Sequence, residues 1–342
     1  MKINLSDFSV VIQGPILGKP GEPFEMQLTS HCIESVRNVL PGSEIIISTW
    51  VGSEVSHLDY DKVVFSEDPG AITYNDFELK DVFNNNNRQI VSTINGLNIA
   101  TKKYSIKLRP DFVFENSNFI GFIGKYEMSY RYKFFKNKII VLTLSSRDPS
   151  KTPLLFAISD LFQVGLTEDL KKLWSIPLQP EPYTTRAFTY EKQFLNDPFK
   201  NNQYKMKYSS EQYIWYSFAK LNNLDISLKY FCEIPINKIR NSIISIIDNF
   251  AIYNPEQLGI IPPKRLQHSL NYMISNTRWF EMYNKICLNK SKYYLIKEII
   301  KVYLNSIYFM KINIKNDLKV NFHFYKNNLY KKLFPYFKSD IT

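Results

Sequence analysis

The residues best suited to chemistry in this chain are a few acids among apolar neighbours and the cations close to them. Asp111 closes the run Lys107-Leu108-Arg109-Pro110-Asp111. A carboxylate there can ligate a divalent cation while Lys107 or Arg109 neutralises a bound anion. The plainer reading is a turn residue accepting hydrogen bonds from nearby amides. Asp160 lies in Ile158-Ser159-Asp160-Leu161-Phe162, and Glu211 follows two serines in Ser209-Ser210-Glu211-Gln212. Burial of the Asp160 carboxyl among these apolar neighbours raises its pKa, which suits a general base, and Glu211 opens a helix and is a second candidate for that role. The alternatives are a helix cap for Asp160 and helix-start electrostatics for Glu211. In Gln13-Gly14-Pro15 the glycine permits close backbone approach to a ligand, and Gln13 offers an amide to a base edge or a ribose. Arg88, in Asn87-Arg88-Gln89, is either a phosphate or carboxylate partner at a helix start or an ordinary surface cation.

Other chemistries lack their residues. The four histidines, His31, His57, His268 and His323, stand at no catalytic or metal-binding spacing. Neither Gly-X-Gly-X-X-Gly nor a P-loop occurs. Cys32, Cys232 and Cys287 are too far apart for a zinc site and odd in number for a disulfide framework.

The candidates must be held by something, and the first 110 residues show what. Short β-branched runs alternate with longer amphipathic stretches, as βαβ units require. Strands are expected at 8–13, 44–50, 62–65 and 104–109, with helices over 24–39 and 86–100. A mainly parallel, doubly wound sheet follows, in which ligands bind beyond the strand C-termini. That rule lines up Gln13-Gly14-Pro15, Trp50, residues 66–70 and Arg109 to Asp111 along one edge. Further on, the pattern suggests a strand over 138–144, helices over 167–174 and 210–221, and a strand with its loop over 242–253.

The 342 residues carry a net charge of +11, with 44% apolar and 22% charged residues, a globular composition. The charge is concentrated at one end. From Lys285 onward twelve lysines face three acids, interleaved with Tyr, Phe, Ile and Leu. This basic amphipathic tail suits an anionic membrane surface, or is a pair of plain surface helices. Nucleic acid is not expected, because no base-reading motif accompanies the charge. The N-terminus lacks the apolar core of a signal peptide and no long apolar span occurs, so a cytoplasmic protein, peripheral to the inner membrane, is expected.

Taken in order, the motifs resemble the WavE lipopolysaccharide-synthesis family. The residues that carry the likeness are Val10 to Pro15, Ile46 to Trp50, Asp68-Pro69-Gly70, Asn87 to Ile90 with Gly96-Leu97, Lys107 to Asp111, Ile158 to Asp160 with Gly165, Glu211-Gln212-Tyr213 and Pro255 to Gly259. Pro110 stands where the family pattern has Thr. The resemblance implies a GT-A-like nucleotide-sugar-binding domain over 1–278, with a nucleotide-binding half to 115, an acceptor half after it, and a basic helical tail over 279–342. It implies a glycosyltransferase using a nucleotide-sugar donor and a glycan or lipid-linked acceptor in lipopolysaccharide or capsule synthesis. Gln13, Gly14, Pro15 and Trp50 would then meet the nucleoside end of the donor, Arg88, Lys107 and Arg109 its phosphates, and Asp111 its sugar or a metal. Asp160 or, preferably, Glu211 would deprotonate the acceptor. Metal-dependent sugar-nucleotide enzymes usually carry Asp-X-Asp, and here the third place is Val113. Mn2+ or Mg2+ is therefore an option, beside a metal-independent CMP-sialic acid sialyltransferase. The non-enzymatic alternative is a basic scaffold for envelope assembly.

Overall fold

A computed structural model describes residues 3–23, 26–75, 81–128, 131–152, 154–180, 208–224, 227–228, 233–266 and 270–307. The fold is mixed α/β around one seven-stranded sheet, of order β10-β8-β9-β6-β1-β2-β3. Its strands are β1 (Phe8–Gln13), β2 (Glu44–Trp50), β3 (Lys62–Ser66), β6 (Tyr104–Leu108), β8 (Ile139–Leu142), β9 (Gln163–Leu166) and β10 (Phe250–Tyr253). All neighbours pair in parallel except β9, which runs against both β6 and β8. Every residue of β1, β6, β8 and β10 is buried, as expected of a sheet covered on both faces. Two small ladders lie apart: β4 (Ile72–Asn75) with β5 (Asp81–Asn84), and β7 (Val113–Phe114) with β11 (Ile260–Ile261).

The helices α1 (Leu28–Val39) and α2 (Asn86–Ile99) are the two expected crossovers. Helix α2 lies close on the sheet because Gly96 has no side chain: a Cβ there would meet Val11 Cγ1 at 2.3 Å and Ser48 Cβ at 3.0 Å. The Ser48 hydroxyl then donates to the Ser92 carbonyl at 2.6 Å. Helices α3 (Thr167–Trp174) and α4 (Ser210–Leu221) form where the periodicity places them.

Three segments differ from expectation. Residues 242–249 belong to helix α5 (Ile236–Asn249), which runs straight into β10. From Ser242 to Asn249 this isoleucine-rich helix is buried, its polar residues included, and its β-branched composition mimics a strand. Strand β9 and the β4–β5 hairpin had no clear signal. At the C-terminal end, beyond the short helix α6 (Pro255–Leu258), α7 (Asn276–Met282) continues through one π-helical stretch, Tyr283–Leu288, to a helix over 292–307, α8. The expected tail beyond 307 lies outside the described residues. Among the described residues no helix is long and apolar enough to cross a membrane.

Candidate active site

From β1 the chain winds outward through β2 to β3, then returns to place β6 on the other side of β1. The gap between the C-termini of β1 and β6 is the switch point of the sheet, where two neighbouring connections leave in opposite directions. A cleft of about 1380 Å³ opens there. Gln13, Gly14 and Pro15 leave β1 into it, Trp50 ends β2 beside it, and Arg109 and Asp111 follow β6 into it. Gly14 takes φ +114° and donates its amide to the Ser48 carbonyl at 3.0 Å, which turns the chain away from the sheet. Gln13 is fixed by Ser92, whose hydroxyl donates to its Oε1 at 2.6 Å.

Asp160 and Glu211 line the same cleft. Asp160 arrives on the segment leading into β9; because that strand is antiparallel, its beginning lies at the same edge as the ends of the others. Glu211 sits in the first turn of α4, held in place by a capping box in which Gln212 N donates to Ser209 Oγ at 3.3 Å and Ser209 N to Gln212 Oε1 at 3.1 Å. Burial pushes the Glu211 carboxyl above the usual carboxylate range, and the charge of Asp160 raises it further; Arg147 and Ser209 oppose this. Two interacting acids in one cleft, one made reluctant to ionise by its surroundings and the other's charge, form an arrangement suited to taking up a proton.

Lys107 does not line the cleft. It is fully buried in β6, its ammonium donating to the backbone carbonyl of Asp160 and lying 5.1 Å from the Trp174 ring. Burial pushes it down to about 7. The strand end explains the placement: Lys107 is still paired on both sides, with Val11 and Gln163, and Arg109 is the first cation past Leu108, where the strand stops. Gln89 Nε2 donates to the same Asp160 carbonyl at 3.2 Å. Arg88 does line the cleft, but its fork closes on Asp68, with Nε to Oδ1 at 2.8 Å and Nη2 to Oδ2 at 2.6 Å.

Asp111 has both carboxylate oxygens engaged. Arg109 Nε donates to Oδ1 at 3.0 Å and Arg109 Nη2 to Oδ2 at 3.1 Å, while Arg265 Nη2 also donates to Oδ2. Burial raises this carboxyl, but the two guanidiniums outweigh it and hold it below its ordinary range. Among the described residues no three His, Cys, Asp or Glu side chains group as metal ligands. One carboxylate already shared by two guanidiniums does not fit a divalent cation, which needs several oxygen ligands.

Arg265 and its neighbour Lys264 escaped the sequence reading, yet both line the cleft. They follow β11, a two-residue strand too short for any periodicity, and two prolines. What brings them to Asp111 is the β7–β11 ladder, which pairs Ile260 with Phe114 and Ile261 with Val113. Gly259 sets that ladder: it takes φ +73°, and a Cβ would lie 2.0 Å from Asn116 Oδ1. Its carbonyl accepts from Glu115 N at 2.8 Å. Ser145, also in the cleft wall, holds a left-handed φ of 68°, a strained conformation for a residue with a side chain.

The WavE lipopolysaccharide synthesis profile matches residues 8–316, a span that includes every residue of this cleft. The chain belongs to the WavE lipopolysaccharide synthesis family. Membership places it in lipopolysaccharide synthesis. No curated protein sequence matches it. Among solved structures it is similar to the inositol-1-phosphate CTP transferase from T. maritima, at 13% identity and TM-score 0.30, covering 49% of this chain and 72% of that one. It is also similar to a 4-diphosphocytidyl-2C-methyl-D-erythritol synthase from Anaerococcus prevotii, at 12% identity and TM-score 0.29, covering 63% and 98%. Neither likeness is close enough to bear on activity.

Proposed function

We propose that this WavE protein is a GT-A-like glycosyltransferase that moves a sugar from a nucleotide-activated donor to a hydroxyl of a glycan or lipid-linked acceptor. The observation that carries this reading is the Asp160–Glu211 pair sharing a cleft at the sheet's switch point with Arg109, Lys264 and Arg265. Gln13 and Trp50 suit the nucleoside, by an amide and a ring; Arg109 suits the phosphates. The acceptor oxygen attacks the anomeric carbon, the bond from that carbon to the phosphate oxygen breaks, and the electron pair leaves with the nucleotide. The acceptor proton passes to Glu211, with Asp160 beside it orienting the hydroxyl. Incubating the purified protein with UDP-, GDP- and CMP-sugars and a lipopolysaccharide acceptor tests the reading. Nucleotide release that depends on acceptor and is lost in Glu211→Gln supports it; release unchanged in that variant overturns the assignment of the base.

The acceptor's site is proposed to lie at an anionic membrane surface. Helix α8 buries Glu298, Val302 and Ser306 on one side and leaves Tyr293, Ile296, Ile300 and Leu304 exposed on another, with Lys297 and Lys301 exposed as well. It docks through Asn305, which donates to the Ser150 carbonyl at 2.6 Å, and through Glu298 paired with Arg278. An apolar stripe flanked by lysines complements anionic lipid. Sedimentation with anionic vesicles is expected, and its loss on replacing Ile296, Ile300 and Leu304 by Ser; equal binding of wild type and variant would remove the proposal.

A further inference from the structure

We propose that a guanidinium clamp, Arg109 and Arg265 braced on the buried Asp111 and joined by Lys264, binds the two phosphates of a nucleoside diphosphate without a divalent metal. The proposal rests on the transferase reading above and deepens it by naming what neutralises the leaving group.

Four observations lead there. First, the Asp111 side chain is only 2% exposed and bridges both arginines, while the Arg265 side chain remains 60% exposed and that of Arg109 29%. The acid is inside and the cations are open on the cleft. A guanidinium carries five N–H donors, and the contacts to Asp111 occupy two nitrogens of Arg109 and one of Arg265, so each keeps donors for an anion. Second, the charge is unbalanced in the required direction. Arg109, Lys264 and Arg265 face the single carboxylate of Asp111, an excess of positive charge close to that carried, with opposite sign, by a bridging diphosphate of about −2. Third, a divalent cation at Asp111 would have to displace guanidiniums from that carboxylate and then sit among three like charges. Fourth, the ladder between β7 and β11, with Gly259 at its head, fixes residues 264–265 opposite residues 109–111 by backbone pairing, so the clamp is built in before any ligand arrives.

The geometry also divides the labour among the cations. Lys107 is beneath the acid pair and Arg88 is closed on Asp68, so neither competes for this role. Arg265 is the group that no short motif marks, and it is the one whose removal should separate the clamp from a metal site.

Isothermal titration of the full chain with UDP, GDP, CDP and CMP, in excess chelator and again with Mn2+, tests the proposal. The expected result is a nucleoside diphosphate bound in chelator within about threefold of its affinity with Mn2+. Arg265→Ala should weaken it about tenfold or more, the usual worth of a charge-assisted hydrogen bond, and Arg265→Lys by an intermediate factor, since lysine restores the charge but not the fork. CDP should exceed CMP by about tenfold on the same ground. Because Arg265 is exposed, thermal denaturation of both variants should match wild type. Binding that appears only with Mn2+, binding indifferent to Arg265→Ala, or CMP binding as tightly as CDP overturns the clamp while leaving the transferase reading in place. No nucleotide bound under either condition overturns both.

Discussion

Two glutamates sit at opposite edges of the same sheet, Glu44 buried and Glu211 half-buried in the cleft wall, and their surroundings differ in kind. At the N-terminal edge, Glu44 opens β2 and is surrounded by donors: Ser9 Oγ at 2.5 Å, Thr101 N at 3.0 Å, Thr101 Oγ1 at 2.8 Å and Lys62 Nζ at 2.6 Å. Burial pushes this carboxyl up, but Lys62, Ser9 and Thr101 outweigh burial and leave it at about 2. At the C-terminal edge, Glu211 meets burial and a second acid, and its carboxyl goes up. A buried acid with its lone pairs satisfied ties chain segments together; one left short of donors is available to a proton. The first kind of site costs the fold little. The second is tolerated at the edge where ligands enter.

The contrast can be attacked from either side. Glu211→Gln should lower transfer by about 10² to 10⁴-fold, the range for loss of a general base, while nucleotide affinity by titration stays as in wild type. Its folded pKa is raised, so ionising Glu211 in the folded state is unfavourable, and that penalty grows as pH rises past the ordinary carboxylate range. The stability of Glu211→Gln relative to wild type should therefore rise with pH in denaturant titrations. Glu44→Gln should do the reverse: about 3 kcal/mol less stability at neutral pH, with transfer by the folded fraction unchanged. Because the folded pKa of Glu44 is depressed, its contribution is present above about 4.5 and is lost as pH falls towards about 2; urea midpoints over that window would show it. If Glu44→Gln abolished transfer with stability intact, the comparison would fail. Gly259→Ala should cost about 2 kcal/mol, from its positive φ and the Asn116 contacts, and weaken nucleoside diphosphate binding together with the fold. Lys107→Met should give the smallest effect. With the Asp160 carbonyl losing its main donor, kcat should drop about tenfold with donor KM unchanged, while stability holds, because a buried ammonium pushed down to about 7 is replaced by an apolar chain of similar length.

The parallel half of the fold was legible because its crossovers are amphipathic and its strands end in Gly, Pro or acid; β1 and β2 fall at the expected residues. What failed had a physical cause each time. Helix α5 is rich in β-branched isoleucine, β9 is four residues long, and β11 is two. The site followed the same division. Gln13, Trp50, Arg109 and Asp111 could be placed from the strand ends, Asp160 from its apolar neighbours, and Glu211 from its helix start behind two serines. Lys107 was misplaced because the spacing after a strand does not reveal which residues have already left the sheet. Arg265 was missed because its position depends on pairing with a segment 154 residues away.

That distance has a consequence for how the protein reaches its working form. The ladder between β7 and β11 consists of two residue pairs, and it closes a chain excursion that includes three strands of the main sheet. Closing so long a loop for so little pairing is entropically slow, so these contacts should form after the local crossovers have condensed. Arg265 meets Asp111 only once that closure is complete. A ligand held by both would thus bind the finished chain and no partly folded species, and the heat stability it adds would report on the last step of folding.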